Sequence, residues 1–253
     1  MPVVASSASA PDALAELRFS FAFQPIVDVV ERQVYSFEAL VRGPGGESAA
    51  TVFQQVPPVD LYAFDRRARV LAIALAARLR VPCRLNLNFL PQSLQSSPDA
   101  ITSIFEAADT YQFPIERIVL EVTESEVIDD AVQLGRALNA FRAQGLTISI
   151  DDFGAGYAGL NLLADFQPDS VKLDMHLVRG IDSRGPRQAI VRAILQACVD
   201  LGIDVIAEGV ETPAEYQWLL EVNVRYFQGY LFAKPGFECL PECALGLGQH
   251  ASG

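Results

Sequence analysis

Two adjacent carboxylates, Asp151 and Asp152, end the β-branched run Thr147-Ile148-Ser149-Ile150 and lead straight into Phe153-Gly154-Ala155-Gly156. Unit charges about 4 Å apart repel by about 4 kcal/mol at an effective dielectric of 20. The pair therefore demands a nearby cation or the protonation of one acid. Polar groups also sit in or at the ends of other apolar runs: Glu38, Asn88, Glu121, Lys172 with Asp174, Glu208 and Gln228. Any one of them alone reads as a cap or a solvated strand end, but seven runs doing so together ask for a common cause. The collected donors are carboxylate oxygens plus an amide oxygen, a set suited to hard cations such as Mg²⁺ or Mn²⁺. Several carboxylates around one point can hold two ions about 3.5–4 Å apart, which suits attack on phosphorus. Phosphoester hydrolysis is then the natural reaction class. Lys172, flanked by Val171 and Leu173, is a compact cation able to hold a water or a phosphate oxygen there.

Other chemistries are poorly supplied. The only histidines are His176 and His250, which argues against Ser-His-Asp or Cys-His catalysis. Lysines number two against seventeen arginines. Cys83 and Cys198 lie in apolar surroundings that suggest burial, and Cys239 with Cys243 forms a C-x-x-x-C spacing with no second ligand pair, a weak zinc signal. The cysteines make no disulfide framework, so a reduced, cytoplasmic protein is expected. A net charge of −12 opposes nonspecific binding to nucleic acid or anionic membranes. No apolar run reaches the roughly 18–20 residues that span a bilayer.

The elements that must position these groups alternate. Strand-like runs are expected at Phe19–Val27, Val34–Val41, Arg84–Phe89, Ile118–Thr123, Thr147–Ile150, Ser170–Asp174, Asp204–Glu208 and Arg225–Phe232. Helical patterns cover Asp12–Leu17, Asp60–Leu79, Pro98–Ala107, Ile128–Gln144, Arg187–Leu201 and Pro213–Leu220. Alternating β and α units over 253 residues imply a parallel sheet closed as an α/β (β/α)₈ barrel, with the polar strand ends at its C-terminal mouth. An open doubly wound sheet is less well supported, because no G-x-G-x-x-G follows the first strand. Residues 1–11 read as a disordered lead-in, 12–244 as the barrel and 245–253 as a disordered tail.

Glu38-Ala39-Leu40-Val41-Arg42 resembles the signature of the EAL-domain cyclic-di-GMP phosphodiesterases. The same order of motifs continues through Asn88, Glu121-Val122-Thr123-Glu124, Asp151-Asp152-Phe153-Gly154, Lys172-Leu173-Asp174, Ala207-Glu208-Gly209-Val210-Glu211 and Gln228-Gly229-Tyr230. That family is a modified TIM barrel hydrolysing one phosphodiester of cyclic di-GMP to linear pGpG with Mg²⁺ or Mn²⁺. The resemblance implies that Glu38, Asn88, Glu121 and Asp151 hold a first metal, and that Asp151 bridges to a second, which Asp152 also binds. It gives Glu208 and Lys172 the activation of water, with Glu208 as general base and Asp174 in support. It sets Arg42 against a phosphate, places Gln24, Leu40, Glu211 and Gln228 at the substrate, and has Glu124 brace the glycine loop. It further implies a homodimer built around Gly154–Leu163 and the helix after Pro186. Departures are small: Phe89-Leu90-Pro91 follows Asn88 where the family more often has Leu-Ser, and Tyr157-Ala158-Gly159-Leu160 replaces the usual serines. The cyclase partner and sensory domain common in the family are absent, so the chain reads as either a stand-alone enzyme or a piece of a larger protein.

Overall fold

The structure is a computed structural model that describes residues 13–96, 100–123, 139–155, 163–164 and 166–245. Eight strands close into a barrel: β1 (Ser20–Asp28), β2 (Gln33–Arg42), β3 (Arg84–Asn88), β4 (Ile118–Thr123), β5 (Thr147–Phe153), β6 (Ser170–Leu173), β7 (Asp204–Ala207) and β8 (Tyr226–Phe227). A short β9 (Gly236–Phe237) follows. From β2 to β8 the pairings are parallel.

The expectation of a wholly parallel sheet needs one correction. β1 runs antiparallel to both β2 and β8. Only four residues, 29–32, join β1 to β2, which is enough for a hairpin and far too few for a crossover. The eighth strand is also much shorter than the Arg225–Phe232 run suggested. Its seam with β1 is two pairs long, Val27 with Phe227 and Asp28 with Tyr226, and β9 takes over beside β1 at Ala22 and Phe23. Arg225 forks onto Asp28, with Nε at 3.0 Å from both carboxylate oxygens and Nη2 2.6 Å from Oδ2, pinning this short seam.

The outer layer includes α1 (Ala13–Glu16), α2 (Ala49–Phe53), α3 (Leu61–Arg78), α4 (Ser93–Ser96) and α5 (Thr102–Thr110). It continues with α6 (Met175–Val178), α7 (Gly185–Leu201) and α8 (Pro213–Glu221). The main apolar core lies between the helix-facing side of the sheet, with Phe23, Leu85, Leu120, Ile148 and Leu173, and the helices, with Ile73, Ile104, Val191 and Leu219, while Ile26, Ile206 and Tyr226 form a second, smaller cluster. α3 also buries Asp65 and Arg69 as an i,i+4 ion pair, with the Arg69 guanidinium 4.8 Å from the Phe89 ring centroid. α8 starts with a capping box between Thr212 and Glu215. Of the helix expected over Ile128–Gln144, residues 139–142 are helical and the part before 139 lies outside the described residues. The expected lead-in lies outside them too, as does the tail beyond Leu245. Cys198 is buried as expected, whereas Cys83 is only half-buried because it sits in the turn before β3. Cys239 is exposed, and the described residues place no cysteine in a metal-ligand group. Among the described residues, no helix is long and apolar enough to cross a membrane.

Candidate active site

Parallel strands deliver their last inward side chains to one mouth, and here those side chains are acids gathered around a lysine. Lys172 on β6 is 1% exposed. Its Nζ lies 2.7 Å from Glu208 Oε1, 2.8 Å from Glu121 Oε1, 3.2 Å from Asp151 Oδ1 and 3.3 Å from Glu38 Oε2. Four strands, β2, β4, β5 and β7, thus contribute or lead directly to one carboxylate each. One cation cannot balance four anions in so dry a place. Glu121 is pushed up to about 8 by burial and by the neighbouring Glu38 and Asp151, against the pull of Lys172. Burial likewise drives Glu208 well above the usual carboxylate range, with Asp151 and Glu38 adding to it. Lys172 goes the other way: burial opposes its charge, but the surrounding carboxylates outweigh that and hold the proton on.

The acids are grouped so that they could hold a cation. Ligand oxygens of Glu38, Glu121 and Asp151 lie within 4.8 Å of one another, and so do those of Asp151, Asp152 and Glu208. Asp151 belongs to both groups. Two buried acceptors at the cluster, Glu121 Oε2 and Asn86 Oδ1, have no hydrogen-bond partner among the described residues. Buried polar atoms are seldom left so; a divalent ion taking carboxylate and amide oxygens fits this donor set. Asp152 adopts φ 54°, its backbone N–H donates to Asp151 Oδ1 at 2.9 Å, and its acid is pushed up to about 6 by burial and by Asp151 and Asp174.

The structure draws most of the residues named from the sequence into one cavity of about 300 Å³. Gln24, Glu38, Asp151, Asp152, Lys172, Asp174, Glu208, Glu211 and Gln228 all line it. Gln228 Nε2 donates to Glu38 Oε2 at 2.7 Å, and Asn88 reaches Glu38 Oε1 at 3.5 Å. Asp174 does not contact Lys172 or Glu208 through any of these bonds; it caps α6 by accepting from His176 N–H at 2.7 Å. Leu40, Arg42 and Asn88 line a neighbouring, mainly apolar cavity of about 270 Å³ together with Phe53 and Asp65. Arg42 there donates to the Val41 carbonyl at 2.8 Å. Glu124 and positions 156–162 lie outside the described residues.

Sequence reasoning gave no role to Asn86 or Arg179 and quoted Tyr230 only within the Gln228-Gly229-Tyr230 motif. Asn86 Nδ2 donates to Glu121 Oε1 at 2.8 Å from a fully buried position. Period two on β3 was the signal, since Asn86 shares the inward face with Asn88. Arg179 and Tyr230 line the Lys172 cavity from beyond the observed strand ends, although Tyr230 lies in the run expected as the eighth strand.

Residues 7–235 match the EAL domain family. A standalone versatile EAL protein from Vibrio cholerae O395, solved in a c-di-GMP-bound form, is 45% identical with a TM-score of 0.87; the match covers 92% of this chain and 99% of that one. BlrP1 of Klebsiella pneumoniae, solved as a calcium/cy-diGMP complex, is 42% identical with a TM-score of 0.86, over 92% of this chain and 60% of that one. The blue light- and temperature-regulated antirepressor BluF of Escherichia coli K12 is 38% identical over 225 residues, which are 88% of this chain and 56% of that protein. A cyclic di-GMP phosphodiesterase of Pseudomonas aeruginosa is 29% identical over 88% of this chain and 39% of its own length. The chain thus spans about half or less of the curated relatives it matches. An acid ring at the barrel mouth, an inverted first strand and a match running almost from end to end agree: the chain belongs to the EAL domain family.

Proposed function

We propose that the chain hydrolyses one phosphodiester of cyclic di-GMP to linear pGpG, lowering this second messenger in bacterial signalling from the cytoplasm. The observation that carries the reading is Asp151 shared between two groups of carboxylates around a buried lysine. The reading assigns Glu38, Asn88, Glu121 and Asp151 to one Mg²⁺ or Mn²⁺ ion, and Asp151 with Asp152 to a second. Support comes from relatives solved with calcium or manganese together with the cyclic dinucleotide. Bound there, the ions supply neutralisation of the phosphodiester and of the crowded acids.

The chain's own residues supply the rest. Glu208, set against Lys172, takes the proton from water as its oxygen bonds to phosphorus and the P–O bond to the departing ribose oxygen breaks. Lys172 orients Glu208 and holds charge at the same point. Asp174 fixes the start of α6 beside Asp152, Gln24 and Gln228 border the substrate, and Glu124 braces the loop after Asp152. The neighbouring cavity, apolar except for Arg42, Asp65, Arg69 and Asn88, suits a flat base attached to a phosphate. A homodimer through α7 and residues 154–163 is part of the reading, supported by Ile190, Val199 and Leu201, which α7 leaves 51%, 72% and 39% exposed.

Incubating the purified chain with cyclic di-GMP and Mg²⁺ or Mn²⁺ should yield pGpG on chromatography. Glu38→Ala should abolish turnover, and Glu208→Gln should keep binding while slowing the reaction by about 10²–10⁴-fold. Because one relative is named for antirepression, binding without product under both metals would overturn the enzyme reading in favour of a receptor.

A further inference from the structure

The catalytic cavity is lopsided in charge. Its described lining holds six acids, Glu38, Asp151, Asp152, Asp174, Glu208 and Glu211, against Lys172 and Arg179. Lys172 is buried and already committed to four carboxylates. Arg179 is placed differently: its side chain is 47% exposed and pairs with Glu211, itself 39% exposed. The backbone beneath it is fixed. Arg179 N–H donates to the Met175 carbonyl at 2.8 Å, its own carbonyl accepts from Arg187 Nη1 at 2.9 Å, and Gly180 N–H donates to the buried Glu215 carboxylate at 2.8 Å. A guanidinium on a fixed base, paired only at the rim, can change partners without moving its loop. Half-exposed ion pairs are weak, whereas a guanidinium can meet a phosphate with two parallel hydrogen bonds.

Resting on the phosphodiesterase reading, we propose that Arg179 is a substrate-binding residue. It takes the phosphodiester that is not being cleaved, exchanging Glu211 for it as the dinucleotide enters. In the eight-strand ring, β2, which ends in Arg42, and β6, which leads to Arg179, are four strands apart. The two arginines therefore stand on opposite sides of the mouth. A cyclic dinucleotide carries its two phosphodiesters on opposite sides of its macrocycle, so each meets one guanidinium, with the acid ring between them. Glu211, which the family resemblance assigns to substrate, acts here through Arg179 as the counter-ion that substrate displaces.

The two partners of the pair give opposite tests. With cyclic di-GMP and Mn²⁺, Arg179→Ala should raise KM about tenfold and lower kcat/KM to match, and Arg179→Lys should recover most of that loss. Glu211→Gln should lower KM two- to threefold, because the guanidinium loses its competitor. Direct titration of cyclic di-GMP into the same variants on a Glu208→Gln background should show the same order of Kd. If Arg179→Ala and Glu211→Gln raise KM alike, the pair is only a brace and the proposal falls; it falls equally if Arg179→Ala binds like the parent. A parent chain that neither binds nor cleaves cyclic di-GMP would instead overturn the phosphodiesterase reading itself.

Discussion

Replacing Lys172 by methionine tests the electrostatic account of the site more directly than any activity measurement. Each of the four carboxylate contacts, at 2.7–3.3 Å, is a gross attraction of about 5–6 kcal/mol at an effective dielectric of 20. Most of this only offsets the cost of burying the charges. The net loss on removing one partner of a buried ionic group is about 3–5 kcal/mol, because the remaining charges stay buried and uncompensated. Methionine keeps the volume, so no cavity adds to the figure. For a chain near 250 residues, 1 kcal/mol moves Tm by about 2–4 °C; Lys172→Met in chelator should therefore melt about 6–20 °C below the parent. Adding Mn²⁺ should raise the variant's Tm by more than the parent's, since the ion then replaces a missing counter-charge. Thermal unfolding followed by circular dichroism, with chelator and with Mn²⁺, reads both effects. A variant within 2 °C of the parent in chelator would refute the claim that Lys172 is what lets these acids fold together.

Further predictions concern the residues around that centre. Asn86→Leu releases Glu121 Oε1, and Mn²⁺ affinity by calorimetry should fall about 10–100-fold, as for other residues that orient metal ligands; unchanged affinity would remove Asn86 from the site. A Cβ at Gly229 would come within 2.0 Å of the Val210 carbonyl oxygen, so Gly229→Ala should shift the loops bearing Glu208 and Gln228 and cost both stability and turnover; an alanine variant with parental Tm and rate would show that this backbone contact is dispensable. At the barrel seam, burial pushes the Asp28 acid up, but the Arg225 guanidinium and the backbone N–H groups of Val30 and Glu31 outweigh it and hold the acid below its usual 3.8. A depressed folded value means stability present above about pH 3.8 and lost as pH falls through the folded value. The parent's advantage over Asp28→Asn should accordingly shrink on acidification below pH 4, and a pH-independent gap in urea unfolding would contradict this. Ile190→Glu on α7 should convert a dimer to monomers in light scattering; a parent that is already monomeric would dismiss that surface.

How far the chain could be read beforehand depended on period and position. β4, β5 and β6 are buried runs with an acid or lysine in the inward phase, and such runs can be located from the residues alone. The two-residue β8 could not, because Phe227 is followed by Gln228 and Gly229, whose backbone must run against Val210 rather than along β1. The antiparallel β1 was written in its four-residue connection to β2, yet its all-apolar face looks the same in either direction. Asn88 was recognised and Asn86 passed over, although they share a face; the deeper one reads as an anomaly in a strand until Glu121 is placed beside it. Arg179 had no sequence signal, because only the fold brings the turn after α6 over the mouth.

The acids and the lysine solve two separate problems with the same groups. During folding, Glu38, Glu121, Asp151 and Glu208 must be brought together before any ion is necessarily present, and Lys172, which contacts all four, makes that tolerable. The compensation is deliberately incomplete in the physical sense: one cation faces four acids, with Asp152 adding a fifth at the rim. Full neutralisation by more lysines would give a more stable barrel with no appetite for divalent ions. Removing Lys172 would leave a site hungry for metal but expensive to fold. A single buried lysine lies between these limits, which is why its position, and not only the identity of the acids, separates a metal-binding mouth from an ordinary polar barrel end.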